Sequence, residues 1–450
     1  MHFCTINRTA ALLLLLDLGT AAASAQSFGD SPYSAYGLGD LVHTGQVSQA
    51  LMAGTGLAIT EPYSVIMGNP ASYASLARPV FEAGAAFRLT RTTSALGNST
   101  QRDAEFMGFS IGVPFANGKW GLALGLTPFS EVDYTSVKQS TFEGGAVKYE
   151  YAGSGGLDRA FFGLARTLYS QRPDSAGNRG SHVTLGADFN FIFGNIGQTR
   201  DAVYNQVDGY TNTKAFSALV LRAPTADASL VWQGDLTRKK HRDDANWRWS
   251  VGISAALPTV FNAKYSNLVT SYTLSSGIEQ VRDTILDQRS SKGRVELPVG
   301  LGFGLGVQNQ RWAFTAEMKQ RDWSALAVDV PDYALPAPLR SAVSYAAAVR
   351  FRPGTDGGVF HRAVYRGGLR YMDNPQEIRG EELRATMATA GISIPLNAVQ
   401  TNSWLHLGGE FGQRGSTANG LVEERFATLW VGVAFTPWRG ERWFTPPRIQ

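Results

Sequence analysis

The chain has 450 residues, and 44% of them are hydrophobic, an ordinary share for a water-soluble protein. Its 41 basic and 37 acidic residues leave a formal net charge of +4. They are scattered, which fits solvated or internal charge and argues against a nucleic-acid-binding surface. The one cysteine, Cys4, lies in the leader described next, so disulfides and thiol chemistry are excluded from the rest.

The first 25 residues read as a secretory signal. Arg8 supplies the positive region, residues 10–16 form a short apolar run, and Ala23-Ser24-Ala25 is a small-residue cleavage motif before Gln26. A membrane-spanning helix needs ~20 apolar residues, and Asp17 interrupts this run. No later stretch is long enough either. Length alone would then suggest two or three soluble domains, yet no linker-like shift in composition separates them.

From residue 79 onward the sequence alternates with a period of two, the mark of strands with one apolar face. The pattern predicts strands at 79–91, 105–115, 119–134, 157–169, 181–194, 214–236, 247–262, 294–308, 310–324, 339–352, 362–374, 381–396, 402–414 and 421–436. The eighth is the most informative. Leu297, Val299, Leu301, Phe303, Leu305 and Val307 form one face, while Pro298, Gly300, Gly302, Gly304 and Gly306 leave the other nearly bare. A soluble sandwich would waste its core there. A large barrel would not, because its inner face lines a lumen that stays open or is filled from elsewhere.

Fourteen strands, an even number, return the chain to the side from which it started, as a bacterial single-chain barrel requires. Short links such as 116–118 and 308–310 alternate with longer ones around 194–213 and 263–293, which predicts short periplasmic turns and long outer loops. Trp120, Trp247, Trp249, Trp312 and Trp404 then open strands on the periplasmic side, and Trp438 and Trp443 follow the last strand there. This is the pattern of an aromatic girdle.

Residues 31–40, Ser-Pro-Tyr-Ser-Ala-Tyr-Gly-Leu-Gly-Asp, and residues 67–76, which contain Asn69-Pro70-Ala71, precede the first strand. With the third strand, the strand count, the signal and the Arg442-Trp443-Phe444 tail, the chain resembles the FadL-like outer-membrane transporters of long-chain fatty acids and other hydrophobic compounds. The resemblance implies an N-terminal hatch over 26–78 inside a barrel over 79–437, with a periplasmic tail at 438–450. Aperiodic small residues such as Gly37, Gly39, Gly54 and Gly56 agree with a hatch. It also implies an inward kink of the third strand that opens the wall. Pro128-Phe129 is the counterpart here, since proline cannot donate to a ladder.

Candidate chemistry is sparse. Gly108-Phe109-Ser110-Ile111-Gly112 matches a nucleophile-elbow pattern, but it sits mid-strand, without the strand-to-helix turn that motif needs. His43, His182, His241, His361 and His406 show no metal-ligand spacing. Only His406 lies clearly within a strand, with no serine evident as its partner. Inner faces carry Glu317, Lys319 and Arg321 on the ninth strand, Arg350 on the tenth, Arg366 and Arg370 on the eleventh, and His406 and Glu410 on the thirteenth. These predict a ladder of ion pairs bracing wall and hatch, or a basic patch for a fatty-acid carboxylate.

The sequence thus predicts an all-β, fourteen-stranded antiparallel transmembrane barrel with an N-terminal hatch, in the outer membrane of a diderm bacterium. Its expected partners are membrane lipid and a hydrophobic small molecule, with no cofactor, metal or nucleic acid, and the barrel is expected to be a monomer without enzymatic activity. The expected function is passive uptake of hydrophobic compounds with lateral release at the third strand. The alternative is a binding or shuttle barrel acting with a protein secretion machine.

Overall fold

The structure, a computed structural model, describes residues 31–437 apart from short stretches at 43–44, 96, 143–144, 172–173, 175–177, 179, 205–208, 238–245, 276, 336 and 397–402. The expected signal peptide, the tail with Trp438 and Trp443, His43 and His241 therefore lie outside the described residues.

One antiparallel sheet of fourteen barrel strands closes on itself. They are β1 (Val80–Ser94), β2 (Gly97–Phe115), β3 (Trp120–Phe142), β4 (Gly145–Ser170), β5 (His182–Tyr204), β6 (Asn212–Asp235), β7 (Arg248–Ala256, then Thr259–Ser275), β8 (Ile278–Leu297, then Gly300–Gln308), β9 (Trp312–Asp322), β10 (Ser341–Phe351), β11 (Val364–Ile378), β12 (Glu381–Pro395), β13 (Trp404–Gly415) and β14 (Glu423–Phe435). The seam joins β14 to β1, from Phe435 opposite Phe81 to Glu423 opposite Thr93. Closure leaves no edge inside the bilayer, which a lipid-facing sheet requires. Outward residues such as Phe303, Leu301, Phe314 and Leu369 are exposed as lipid-facing side chains should be.

The strands are unequal. A tilted strand crosses the bilayer in ~9–11 residues. β9 and β10 have 11 each, whereas β3 has 23, β4 has 26 and β6 has 24. The inner ends are level, so the surplus of β3–β8 rises on the outer side as a six-stranded wing, on the order of 30 Å tall at the usual rise and tilt. This corrects the expected loops at 194–213 and 263–293, which are mostly strand. On the outer side, only residues 276 and 277 separate β7 from β8. Over β3–β8 the asymmetry resides in strand length, whereas β9 and β10 are joined by a long outer connection, residues 323–340.

Prolines and breaks gather where several wing strands leave the barrel. β3 has a bulge between Pro128 and Ser130, β6 carries Pro224, β7 breaks at Leu257-Pro258 and β8 breaks at Pro298-Val299. Gly155 in β4 sits at φ +111, open to glycine at little cost. Beneath this crease, Leu38, Leu157, Leu221, Phe261, Leu297 and Trp323 form a buried cluster that seats the wing on the N-terminal segment and the β9–β10 connection.

Trp120, Trp247, Trp249 and Trp312 lie at one rim, with Trp232 against Trp249 at 4.8 Å and Trp312 against Phe351 at 4.2 Å between ring centres. Trp404 departs from the expected girdle. It faces the lumen, 8% exposed, on the same side of β13 as His406. The parity that placed it at the rim was right, but the face was wrong.

Candidate functional site

Residues 31–42 and 45–78 run through the lumen, and most of 45–59 and 64–76 are buried. The bare face of β8 is where this segment passes. A Cβ on Gly306 would collide with the Ala58 carbonyl, and one on Gly252 of β7 with the Leu57 carbonyl. Backbone thus packs on backbone, a close approach that only glycine allows.

Asn69-Pro70-Ala71 anchors the segment. Asn69, 1% exposed, donates from Nδ2 to the Gly56 and Leu57 carbonyls at 2.9 and 3.1 Å. Its Oδ1 accepts from Ser229 Oγ of β6 at 2.8 Å, and the same Ser229 oxygen accepts from the Ala71 amide at 2.8 Å. Pro70 opens a short 3-10 helix, Pro70–Ser75. Tyr73 in that helix donates to Asp188 of β5 at 3.1 Å.

The inner charges divide into separate groups. Glu317 accepts from the Gly56 and Leu57 amides and pairs with Lys319 at 3.4 Å. Arg370 donates to the Ala53 carbonyl. Glu410 is buried and lines an outer cavity with Arg370. Arg321 lies over the Trp323 ring. Near the periplasmic end, Arg350 and Arg366 reach Glu61 at 2.8 and 3.4 Å. Near the outer end, Arg414 grips both oxygens of Asp40 at 2.9 Å and Glu424 at 2.8 Å. Glu61 and Asp40 escaped the sequence reading because they sit in the aperiodic segment. Ser229 and Ser393 could have been found, since strand parity turns both inward.

One expectation is overturned. His406 does have a serine partner: Ser393 Oγ lies 2.6 Å from His406 Nδ1. Ser393 is fully buried and also accepts from Arg366. A serine so enclosed offers no face to a substrate. Ser110 is also buried, and donates to Glu82 at 3.4 Å.

The β2–β3 ladder ends where the third strand was expected to kink. β2 and β3 pair only from Phe115 opposite Trp120 to Phe109 opposite Leu126. Above this, β2 turns away at Gly108, φ +86. The freed edge of β3 instead pairs with Asp40–Leu41, and the Val42 amide donates to the Phe129 carbonyl at 3.0 Å. Pro128 lies at the split, which opens on cavities of about 170 and 320 Å³. The first of these is charged, with Arg88, Asp103, Glu105 and Glu131 in its lining.

A closed fourteen-stranded barrel with its N-terminal segment in the lumen is the fold seen in FadL-like barrels. The toluene transporter TodX of Pseudomonas putida superposes with a TM-score of 0.55 at 16% identity, over 90% of this chain and 100% of its own. A FadL homologue of Pseudomonas aeruginosa gives 0.53 at 12% identity, over 88% and 99%. No curated protein matches the chain. The family model for BamG matches residues 6–450, and the chain belongs to the BamG family.

Proposed function

We propose that this chain is a non-catalytic barrel subunit that acts with the Bam machinery and holds a protein partner at its outer wing. The match to the BamG family over residues 6–450 carries this reading. The wing supports it. Between Ile278 and Gly293, β8 pairs among the described residues only with β7, on one side. Ile278, Val281 and Ile285 are 69, 64 and 59% exposed there. An open strand edge accepts an extended segment of another chain through main-chain hydrogen bonds.

The test is co-purification from outer membranes in mild detergent, with Bam subunits identified by mass spectrometry. Replacing residues 271–283 by Asn-Gly would keep a tight hairpin while removing the wing tip. Recovery of Bam subunits with the intact protein, reduced at least several-fold with the trimmed one, is the expected result. Equal recovery would remove the wing from the reading, and no recovery with either would remove the Bam association.

The split between β2 and β3 favours a second reading, passive entry of a hydrophobic molecule with lateral exit beside Pro128. The charged lining of the cavity behind the split weighs against it as the main activity.

A further inference from the structure

At the periplasmic mouth a cavity of about 690 Å³ lies between residues 60–64 and the inner ends of β6–β8, β10, β11 and β13. Its charged lining is cationic: Arg248, Arg350, Arg352 and Arg366 face Glu61 and Asp235. Most of these are engaged. Arg350 and Arg366 hold Glu61, and Arg248 reaches Asp235 at 3.6 Å and His182 at 2.9 Å.

Arg352 differs. Its guanidinium lies 5.6 Å from the centre of the Trp404 ring, its Nε is buried, and its side chain has no hydrogen-bond or ion-pair partner among the described residues. His406 lines the same cavity two residues beyond Trp404, on the same face of β13 and 4% exposed. Arg366 donates to Ser393 Oγ, so the Ser393 proton goes to His406 Nδ1. A neutral imidazole that accepts at Nδ1 carries its own proton on Nε2. That N–H is buried and finds no acceptor among the described residues, and neither does Arg366 Nε.

The cavity therefore offers unfilled donors beside an aromatic wall and lacks the acceptor they would share. Its own chemistry shows what fits, because Glu61 already seats a carboxylate on the neighbouring arginines. We propose that this vestibule is a binding site for a carboxylate carried on an apolar group, entering from the periplasm. The guanidinium of Arg352 holds the charge, Trp404 packs against the apolar flank, and His406 adds a polar floor behind them. Guanidinium suits a planar carboxylate through paired hydrogen bonds. The site is separate from the outer wing.

The probe is N-acetyl-4-fluorophenylalanine, titrated into the whole mature protein in detergent and followed by ligand ¹⁹F NMR. Its uncharged amide and inorganic phosphate are the comparison ligands. Saturable binding of the acid is expected, at least tenfold tighter than that of either comparison ligand. Arg352→Gln should weaken it tenfold or more while leaving heat-modifiable gel migration unchanged. Equal binding of the amide, or an Arg352→Gln protein that binds normally, would overturn the site. Phosphate binding as tightly as the acid would overturn the apolar flank. Should Arg352→Gln fail to fold, Arg352→Lys keeps the charge but loses the paired hydrogen bonds. It should weaken binding of the acid several-fold, and unchanged binding would again sink the proposal.

Discussion

Glu61 shows how one carboxylate ties the lumen segment to the wall. Burial opposes its ionisation, but Arg350 and Arg366 outweigh that and hold its pKa down to about 2, from an ordinary 4.5. A depressed acid stabilises the fold fully above its unfolded value and loses that contribution as pH falls through the folded one. The ion pairs should thus be intact from pH 8 to about 5 and fail only towards pH 2. Glu61→Gln leaves two largely buried guanidinium groups without their charge partner, a loss of about 3–5 kcal/mol. The measurement is thermal stability of wild type and Glu61→Gln across pH. Their difference should be flat above about pH 5 and shrink below it. A difference that already shrinks between pH 7 and 6 would assign the tie to another group. None of this was legible from strand patterns. Period two located Arg350 and Arg366 on inner faces, but their partner lies in a segment with no period.

At the scale of elements, Pro128 is the informative case. Its strand was readable because Leu122, Leu124 and Leu126 alternate up to it, and a proline that cannot donate marked a fault. The structure puts a bulge and the end of β2–β3 pairing there. Lateral exit by that route predicts that Pro128→Val, which supplies the missing N–H and a strong strand former, lowers uptake of a hydrophobic probe several-fold at matched expression. Unchanged uptake would mean that the split is no exit. The wing, by contrast, was invisible in sequence. Within the bilayer the outer face must be apolar, so alternation is enforced. Above it both faces meet water, and β8 reads Ile278-Glu279-Gln280-Val281-Arg282-Asp283, with no period of two. A strand free of that constraint looks like a loop.

For the whole molecule, the closed ladder predicts recovery in the outer-membrane fraction and faster gel migration before boiling than after, since the sheet resists detergent until heated. Recovery from the soluble periplasm would contradict a lipid-facing barrel. The strand count was legible because lipid imposes the same rule on every crossing. The path of the lumen segment was not, except as the gap left by the glycines of β8. That path also favours an order of events. Residues 31–42 and 45–78 lie inside a ring whose seam joins β14 to β1, and they are bonded to strands around it. Seating the segment before the two ends of the sheet meet spares it a passage through the finished ring. On that order, an error in seating Asn69 or Glu61 would appear as a barrel that fails to shut.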